Sequence, residues 1–472
     1  MLACVLASAG VDALQLSRPG YLFGATPDVS VYLAGAVRLV HGAVAYRDFV
    51  FVQPPGIVVL LSPFALVSNL IGTRGALAVL RICTPLIAGA NVVLVGRLVR
   101  HRGRMTTLVA CGLMALYPAE RYALNAGLLE PVTGLFCLAG ASLLFDRDNF
   151  AGSRRVLLGG VLFGVAGAMK APAIVAVLVV VVMCASSPRR RLLPFAGGVA
   201  AGFGCLCLAF FVMAPAAFLR DVVLSQLSRL PGSERTPVAV RLQEMTLGGG
   251  TAGAYIALAL LAAVVIAAFA IRRRRLTALE TFALVTAGAV GAVQFATTQY
   301  YPQYPALLAP FLALVLSLAV GRLDVPRIPR GIATAAVTVA LGAYLVSQIV
   351  VIEGTATQDY QRAVDAVVPA GACALSDGPK IIFTTDRFVS SVPGCTEMVD
   401  PFGTMLAFDH DAASGDAAFR AALRSVDYLV LTSGVDSWLS GHYATLRAYV
   451  SADFHLIRSG VLYVYVRNGL PP

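Results

Sequence analysis

Charge is scarce in this sequence. Only 13% of the 472 residues are Asp, Glu, Lys or Arg, whereas 58% are hydrophobic. Soluble domains carry about 25% charged and about 45–50% apolar residues. Apolar runs of about 20 residues, long enough to cross a membrane as a helix, recur from the N-terminus to near residue 352. The composition therefore excludes an ordinary soluble enzyme and predicts a polytopic α-helical membrane protein.

Several motifs that carry chemistry in other proteins are also missing. The sequence has no GxxxxGK[ST] phosphate loop, which argues against an ATP-driven pump. The five histidines show no HExxH spacing and the nine cysteines include no CxxC pair, so a structural zinc site has no support. The net charge is +11, but the basic residues form short clusters between apolar runs. Nucleic-acid binders concentrate them on one face beside aromatics, so no nucleic-acid partner is expected.

The basic clusters predict the topology. Lys and Arg concentrate in the cytoplasmic loops of membrane proteins, so we place four clusters in the cytoplasm: residues 97–104, 187–191, 272–275 and 322–330. An even number of apolar segments separates each neighbouring pair of clusters, as one consistent topology requires. The last apolar segment, near 331–352, then leaves the cytoplasm, and the chain after it is external.

The membrane body is predicted to comprise residues 1–352, with about 11 crossings. Residues 2–14 are counted as the first crossing, although they are short and lack a basic flank; a truncated start or a signal-like segment is the alternative. Residues 56–71 follow a Pro-Pro pair and contain Pro63, so they are too short and interrupted for a crossing. We expect one re-entrant or interfacial helix there.

Residues 353–472 have a different composition. Charged residues return, and short strand-like runs (IIFTT, YLVLT and VLYVYV) alternate with helical ones such as DAAFRAALRSV. This pattern predicts a small external α/β domain. Cys373 and Cys395 both lie in it, and an external compartment is oxidising. We expect these two cysteines to form a disulfide; the alternative is two unrelated thiols.

Ionisable and aromatic residues gather in the segments predicted to be external. Charged groups at the edge of a membrane are costly and by default mark a functional site. The candidates are Asp28, Tyr46, Arg47, Asp48, Arg81, Glu130, Lys170, Tyr301 and Gln303. Lys170 is the only lysine of the membrane body. We therefore expect a functional site on the external face.

Several segments, taken in order, resemble one group of membrane enzymes. An early Asp28 with Tyr32 four residues on, an Ala-rich helix ending near Gly42 and the run AYRDFVFVQPPG come first. They are followed by GLLEP, GVAGAMKAPA and TTQYYPQYPALLAPFLAL, the last of which ends at residue 314. In this order, over roughly residues 21–320, they resemble the GT-C glycosyltransferases. The resemblance is strongest to the branch of protein O-mannosyltransferases and lipid A aminoarabinose transferases.

The resemblance implies a fold in which membrane helices present a cavity to the external face, with a polyprenyl-phosphate sugar as donor. Asp28 matches the early acid of the family and is the expected general base. Many relatives have a second acid directly after it, whereas this chain has Val29. This departure puts a carboxylate pair at the site in doubt, and a divalent metal is the one cofactor left open. The alternatives for Asp28 are a cap of the helix that begins there and a solvated loop residue.

The loop after the first external helix is expected to contact substrate. Asp48 supplies a second carboxylate, with Arg47 and Tyr46 beside it. The alternative is that Asp48 pairs with Arg47 or another arginine and only orders the loop.

The remaining candidates are also predicted to bind substrate, each with a simpler alternative. Lys170 and Arg81 suit a lipid phosphate, or only reach towards the membrane interface. Glu130 lies in the matching GLLEP segment, or only opposes the dipole at a helix start. Tyr301 and Gln303 contact sugar or lipid, or belong to an aromatic belt.

These observations predict a membrane glycosyltransferase. It moves a hexosyl or pentosyl group from a polyprenyl-phosphate donor to an envelope glycan, lipid or protein, with inversion at the anomeric carbon. The expected location is the bacterial plasma membrane, with the C-terminal domain in the periplasm. The alternative is a transporter or flippase of lipid-linked sugars, which would carry acids and bases near the midplane of several spans. A non-catalytic envelope scaffold is a third interpretation.

Overall fold

The computed structural model describes residues 1–228, 235–245, 275–298, 300–323, 330–353, 359–439 and 443–470, with single residues between 259 and 269. Up to residue 228 the helices are α1 (Leu2–Leu16), α2 (Pro27–Val40), α3 (Gly56–Val99), α4 (Arg104–Leu116), α5 (Pro118–Asn125), α6 (Leu129–Leu144), α7 (Ser153–Met169), α8 (Ile174–Cys184), α9 (Leu193–Met213), α10 (Pro215–Leu219) and α11 (Ser225–Ser228). The next four helices are α12 (Val238–Met245), α13 (Ala278–Ala296), α14 (Tyr304–Arg322) and α15 (Arg330–Glu353). A short hairpin of β1 (Phe145–Asp146) and β2 (Asn149–Phe150) follows α6.

Four of the described helical segments are long and apolar enough to cross a membrane: Gly56–Arg102, Pro188–Met213, Ala278–Ala296 and Tyr304–Arg322. The pair of α5 and α6, bent by 113°, is a further candidate as one broken span or a re-entrant loop. The chain is therefore a helical protein built to cross a membrane several times. The count of about 11 crossings stays a prediction, and the crossing expected before Arg272 lies largely outside the described residues.

The long helix α3 is broken near its middle. Ile71 and Gly72 leave helical geometry, and Gly72 has a φ of 77°, which favours glycine. A Cβ at this position would lie 2.5 Å from Oδ1 of Asp386, so a side chain here would displace that carboxylate. The break falls at the end of the 56–71 segment, whose interfacial or re-entrant placement stays a prediction.

The described chain forms two compact units. Unit 1 contains Met1–Ser17, Cys83–Cys207 and Leu230–Thr355, and unit 2 contains Arg18–Ile82, Leu208–Arg229 and Ala356–Pro472. The C-terminal segment thus shares its unit with two segments from the first half of the chain. The predicted domain boundary at residues 352 and 353 stays a prediction.

Unit 1 is a helical bundle with an aromatic core. Phe282 of α13 packs edge-on against Phe163 of α7 and Phe311 of α14, with ring centroids 6.2 and 5.9 Å apart. Helices α7 and α9 approach closely because Gly160 and Gly164 face the backbone of α9, where any side chain would clash. Small residues commonly allow such close contacts between membrane helices.

Two basic clusters meet at the β1–β2 hairpin of unit 1. Arg102, from the 97–104 cluster, donates hydrogen bonds of 3.1 and 2.6 Å to Oδ1 of Asp148 in the hairpin turn. Arg191, from the 187–191 cluster, lies over the ring of Phe150 at 4.7 Å. The two clusters therefore lie at the same end of the unit.

The other two basic clusters reach this end as well. Arg322 ends α14 and binds both carboxylate oxygens of Glu280, at the start of α13, at 2.8 and 2.7 Å. It also donates to the backbone carbonyl of Arg275 at 3.3 Å. Residues 272–274 and 324–329 lie outside the described residues. At least one member of each of the four clusters thus lies at the same end of unit 1, as expected if that end is cytoplasmic.

The C-terminal part of unit 2 contains a four-stranded sheet with helices around it. The helices are α16 (Gln361–Asp365), α17 (Lys380–Thr384), α18 (Pro401–Ala407), α19 (Ala412–Ser425), α20 (Val435–Trp438) and α21 (Ala444–Asp453). The strands are β3 (Ala374–Leu375), β4 (Tyr428–Leu431), β5 (Phe454–Arg458) and β6 (Tyr463–Arg467), in the order β3-β4-β6-β5. β3 and β4 are parallel, and the other pairs are antiparallel.

The sequence pattern is right for two of the three predicted strands. YLVLT contains β4, VLYVYV includes all but the last residue of β6, and DAAFRAALRSV lies largely in α19. The predicted strand IIFTT is wrong, because it forms α17. All its apolar side chains are buried, and a short run buried on every side has no periodicity that separates strand from helix.

Two further features define the core of this part. The sulfurs of Cys373 and Cys395 are joined, with Cα atoms 5.6 Å apart, and Cys373 is fully buried next to β3. Trp438, the only tryptophan in the chain, packs edge-on against Phe419 of α19 with ring centroids 6.0 Å apart.

Candidate active site

Asp28 lies in the first turn of α2, in unit 2. Thr26 caps this helix: its hydroxyl accepts a hydrogen bond from the backbone N–H of Val29 at 3.4 Å, and Pro27 is the first helical residue. The interpretation of Asp28 as the helix cap is therefore wrong. Its half-buried carboxylate lies where the backbone dipole of α2 stabilises negative charge.

Arg47 and Asp48 form an ion pair in the loop after α2. Arg47 donates to Oδ1 and Oδ2 of Asp48 at 2.9 and 2.7 Å, and the backbone N–H of Val44 donates to Oδ2 at 2.7 Å. Hydrogen bonds from Arg47 hold the pKa of Asp48 below its usual value, and burial opposes this shift. This geometry is the one expected if Asp48 orders the loop. A role in substrate binding stays a prediction.

Tyr46 anchors the same loop. Its backbone is left-handed, with a φ of 71°, and its hydroxyl donates to the carbonyl of Gln53 at 2.6 Å. Its ring packs edge-on against Phe218 of α10 at 4.9 Å and against Phe210 of α9 at 6.2 Å. The buried tyrosine therefore fixes the loop that carries Arg47 and Asp48.

Asp221 was not among the predicted site residues. Its fully buried carboxylate accepts hydrogen bonds from the backbone N–H of Phe51 at 3.3 Å and from Nε of Arg220 at 2.6 Å. Burial raises the pKa of Asp221, although both hydrogen bonds oppose the rise. Phe51 and Asp221 are 170 residues apart, so no spacing in the sequence signals this contact.

Arg81 of α3 is 4% exposed. Its guanidinium donates to the backbone carbonyl of Tyr21 and lies 5.1 Å from the centroid of the Tyr21 ring. The alternative that Arg81 reaches towards an interface does not match this burial. Binding of a phosphate by Arg81 stays a prediction.

Glu130 and Lys170, proposed separately from the sequence, form a buried ion pair in unit 1. Glu130 is the second residue of α6, and Lys170 follows the last residue of α7. Nζ of Lys170 donates to Oε1 of Glu130 and lies 5.3 Å from the centroid of the Tyr304 ring. Glu130 is 1% exposed. The lysine therefore lies in a defined position and does not extend into solvent.

Tyr301 and Gln303 lie beside this pair, at the start of α14. The rings of Tyr301 and Tyr304 are 5.5 Å apart in an edge-on arrangement. Gln303 is the buried residue that precedes the first turn of α14. Tyr301 thus connects to Lys170 through Tyr304, while Gln303 directly precedes Tyr304 in the chain. Contact of either residue with sugar or lipid stays a prediction.

A second buried acid lies near Glu130. Oε1 of Glu120 in α5 accepts a hydrogen bond from Asn91 at 3.1 Å, and Asn91 also donates to the carbonyl of Pro131 at 3.0 Å. Oε2 of Glu120 is buried and has no hydrogen-bond partner among the described residues. Asn91 was missed because a single polar side chain in an apolar run has no motif around it.

The other charged residue of α5 binds the N-terminal helix. Arg121 donates to both oxygens of Asp12 and to the hydroxyl of Ser8. Asp12 and Arg121 are 1% and 4% exposed. Asp12 lies in an otherwise apolar segment, where an unpaired acid is costly. This was the sequence signal that could have indicated a buried ion pair.

The possible divalent metal stays a prediction. Within the described ranges, no three His, Cys, Asp or Glu side chains are placed to hold a metal ion. The position after Asp28 is Val29, which supplies no ligand. No step of the reaction below is therefore assigned to a metal.

Three solved structures share the fold of this chain. ArnT from Cupriavidus metallidurans, solved with undecaprenyl phosphate, matches with a TM-score of 0.64 at 13% identity, over 100% of this chain and 99% of that chain. The oligosaccharyltransferase of Archaeoglobus fulgidus, tethered to an acceptor peptide, matches with a TM-score of 0.56 at 12% identity, over 98% and 73%. The arabinofuranosyltransferase AftD from Mycobacteria has a TM-score of 0.50 at 16% identity, over 99% and 41%.

These identities are low, so the three structures show a common fold alone. No curated protein matches the chain in sequence. The model of glycosyltransferase family 87 matches residues 51–298, more than half of the chain. This match and the shared fold confirm the GT-C resemblance. The chain belongs to glycosyltransferase family 87 and is a GT-C membrane glycosyltransferase.

Proposed function

We propose that this protein transfers one sugar from a polyprenyl-phosphate donor to a cell-envelope acceptor on the external face of the membrane. The carrying observation is the family 87 match over residues 51–298. The full-length fold match to ArnT with bound undecaprenyl phosphate supports the choice of a lipid-linked donor. A match to a family of glycosyltransferases also supports transfer over transport of lipid-linked sugars.

In this proposal Asp28 is the general base. Its carboxylate takes the proton of the acceptor hydroxyl while the hydroxyl oxygen bonds to the anomeric carbon. The bond from this carbon to the phosphate oxygen breaks, and the polyprenyl phosphate leaves with the bonding electrons. A single displacement of this kind inverts the anomeric configuration. The position of Asp28 in the first turn of α2 supports this role, because the helix dipole favours an ionised carboxylate there.

Lys170 is proposed to stabilise the negative charge of the phosphate group. A fixed cation is most effective where charge develops during the reaction. The hydrogen bond to Glu130 and the Tyr304 ring support the proposal, because together they hold the ammonium in one position. In this arrangement Glu130 is a positioning residue.

The other candidates complete the proposed substrate site. Arg81 is a second cation for the donor phosphate, while Arg47, Asp48 and Tyr46 order the loop that follows Asp28. Tyr301 and Gln303 contact the sugar or the lipid.

The proposed location is the bacterial plasma membrane, with residues 353–472 in the periplasm. The donor sugar is a hexose or a pentose, and the acceptor is a glycan, a lipid or a protein of the envelope.

The test uses purified protein in lipid nanodiscs, a radiolabelled polyprenyl-phosphate sugar and an envelope extract as acceptor. Asp28→Asn removes the base but keeps the size of the side chain, so transfer should fall about 100-fold or more. Asp436→Asn is the matched control, because its carboxylate in the same unit is 91% exposed. Transfer by this control should equal that of the unmodified protein.

Two results would contradict the proposal. Normal transfer by Asp28→Asn would remove Asp28 from the reaction. If no donor yielded product and the protein moved lipid-linked sugar across vesicle membranes, the transporter alternative would replace it. The anomeric configuration of the product, measured by NMR, separately tests inversion.

A further inference from the structure

A cavity of about 400 Å³ opens at the end of unit 1 where the basic clusters converge. It lies at the C-terminal end of the Gly56–Arg102 helix, at the start of α13 and at the end of α14. These three helical segments are all candidate membrane spans, so the cavity lies at the level of one membrane surface. The opposite ends of α13 and α14 lie near Tyr304 and Lys170, so the cavity is separate from the proposed donor site.

The acids that line the cavity are already neutralised. Glu280 is fully buried and accepts two hydrogen bonds from Arg322 and one of 2.9 Å from the backbone N–H of Thr277. Asp148 is bonded by Arg102 at 2.6 Å and lies 3.2 Å from Nε2 of His101. Neither carboxylate is therefore available to repel an incoming anion strongly.

One arginine of the lining remains without such compensation. The exposed Arg275 forms no ion pair with any side chain that the structure describes. Among the described lining residues there are three arginines and two acids, so these side chains carry a net positive charge even with His101 neutral. A positive cavity of this size fits within the range of roughly 300–1,000 Å³ that small ligands occupy.

We infer that this cavity binds the phosphate group of an anionic membrane phospholipid. Guanidinium groups match phosphate geometry through paired hydrogen bonds. Basic pockets between membrane helices at the cytoplasmic surface recognise anionic headgroups. The position at the ends of three spans favours a lipid over a soluble phosphate, because lipid phosphates are concentrated at that level.

Binding is tested with purified full-length protein in detergent, titrated with phosphatidylglycerol, phosphatidylcholine or inorganic phosphate and followed by native mass spectrometry. We expect phosphatidylglycerol to bind more tightly than phosphatidylcholine. Arg275→Gln should weaken phosphatidylglycerol binding about fivefold, the effect of one basic residue near an anionic surface. Arg275→Lys keeps the charge and should therefore weaken phosphatidylglycerol binding less than Arg275→Gln does.

Arg104→Gln is the matched control. Arg104 is an exposed arginine near the same end of unit 1 but does not line the cavity. Equal weakening by Arg104→Gln and Arg275→Gln would show diffuse attraction and overturn the site. Equal binding of the two lipids would overturn it as well, and displacement of the lipid by millimolar inorganic phosphate would overturn the choice of a lipid. This experiment measures lipid binding, so its result does not depend on whether the protein catalyses sugar transfer.

Discussion

The two ends of the α13–α14 hairpin handle buried charge in different ways. At one end, Arg322 and Arg102 hold Glu280 and Asp148 through several hydrogen bonds. At the other, about 28 Å away for a helix of this length, a single lysine meets Glu130 beside an aromatic ring. Arginine makes several hydrogen bonds in a fixed fork, which suits a structural role. Lysine is a compact point charge, and in the proposed function Lys170 also binds the substrate phosphate. We therefore expect the Arg322 end to be structural and the Lys170 end, called the reactive end, to take part in the proposed reaction.

The largest expected effect is at the arginine-rich end. Arg322→Gln leaves the fully buried Glu280 with Arg102, at 3.3 Å, as the one other cation that pairs with it among the described residues. Breaking a buried ion pair from one side costs about 3–5 kcal/mol of unfolding free energy. Thermal unfolding is followed with a thiol-reactive dye, because Cys111 and Cys137 are buried in unit 1 and react once it opens.

Arg189→Gln is the control for that measurement, because Arg189 is an exposed member of a neighbouring basic cluster. Its midpoint should stay near that of the unmodified protein. Equal midpoints for Arg322→Gln and Arg189→Gln would remove the structural role of the network. Cys205 is exposed, so it reacts with the dye in the folded protein and contributes to the baseline fluorescence.

The second-largest expected effect is on the rate of sugar transfer, and it comes from changes at the reactive end. Replacing Lys170 and Glu130 together by Gln keeps two polar side chains there and leaves neither member of this ion pair as an unpaired charge. We expect sugar transfer to fall about 100-fold, the usual effect of losing one preorganised group at a developing charge. The unfolding midpoint should change little.

The reciprocal double variant sharpens the comparison. Arg102→Gln with Asp148→Asn removes an ion pair at the opposite end and should lower the unfolding midpoint while transfer at low temperature continues. If both double variants reduced transfer equally, the distinction between the two ends would fail.

The smallest effect is a pH dependence at the hairpin turn. Burial would raise the pKa of Asp148, but the hydrogen bonds from Arg102 and the nearby His101 ring outweigh it and hold the pKa below its usual value of 3.8. A carboxyl with a lowered folded-state pKa stabilises the protein above pH 3.8, and this contribution is lost as the pH falls through the folded-state pKa. At pH 6 the free energy of unfolding of the unmodified protein should exceed that of Asp148→Asn by about 1 kcal/mol. This difference should shrink below pH 4. A constant difference down to pH 3 would contradict this prediction.

The sequence predicted the parts of the structure that depend on local pattern. Apolar runs located most helices, and the basic clusters predicted which segments share one end of unit 1. Asp28 was proposed as the base because the order of motifs resembles a known family, and this role stays a prediction. The alternative role as a cap failed because Thr26, two residues earlier, accepts the capping hydrogen bond.

Long-range pairs could not be predicted in the same way. Glu130 and Lys170 are 40 residues apart, and Asp12 and Arg121 are 109 apart. Each pair depends on how separate helices pack, which no local periodicity reports. The same limit explains IIFTT, where uniform burial hides the helical pattern of α17.

The single tryptophan makes the second unit separately observable. Because Trp438 packs on Phe419 in the C-terminal core, intrinsic emission excited at its indole band reports disruption of that core alone. The thiol dye reacts with cysteines of the other unit. Tryptophan emission and dye emission can therefore be recorded separately from the same heated sample. The unfolding midpoint of each unit can thus be measured in the intact chain, without a site-specific label or a truncation.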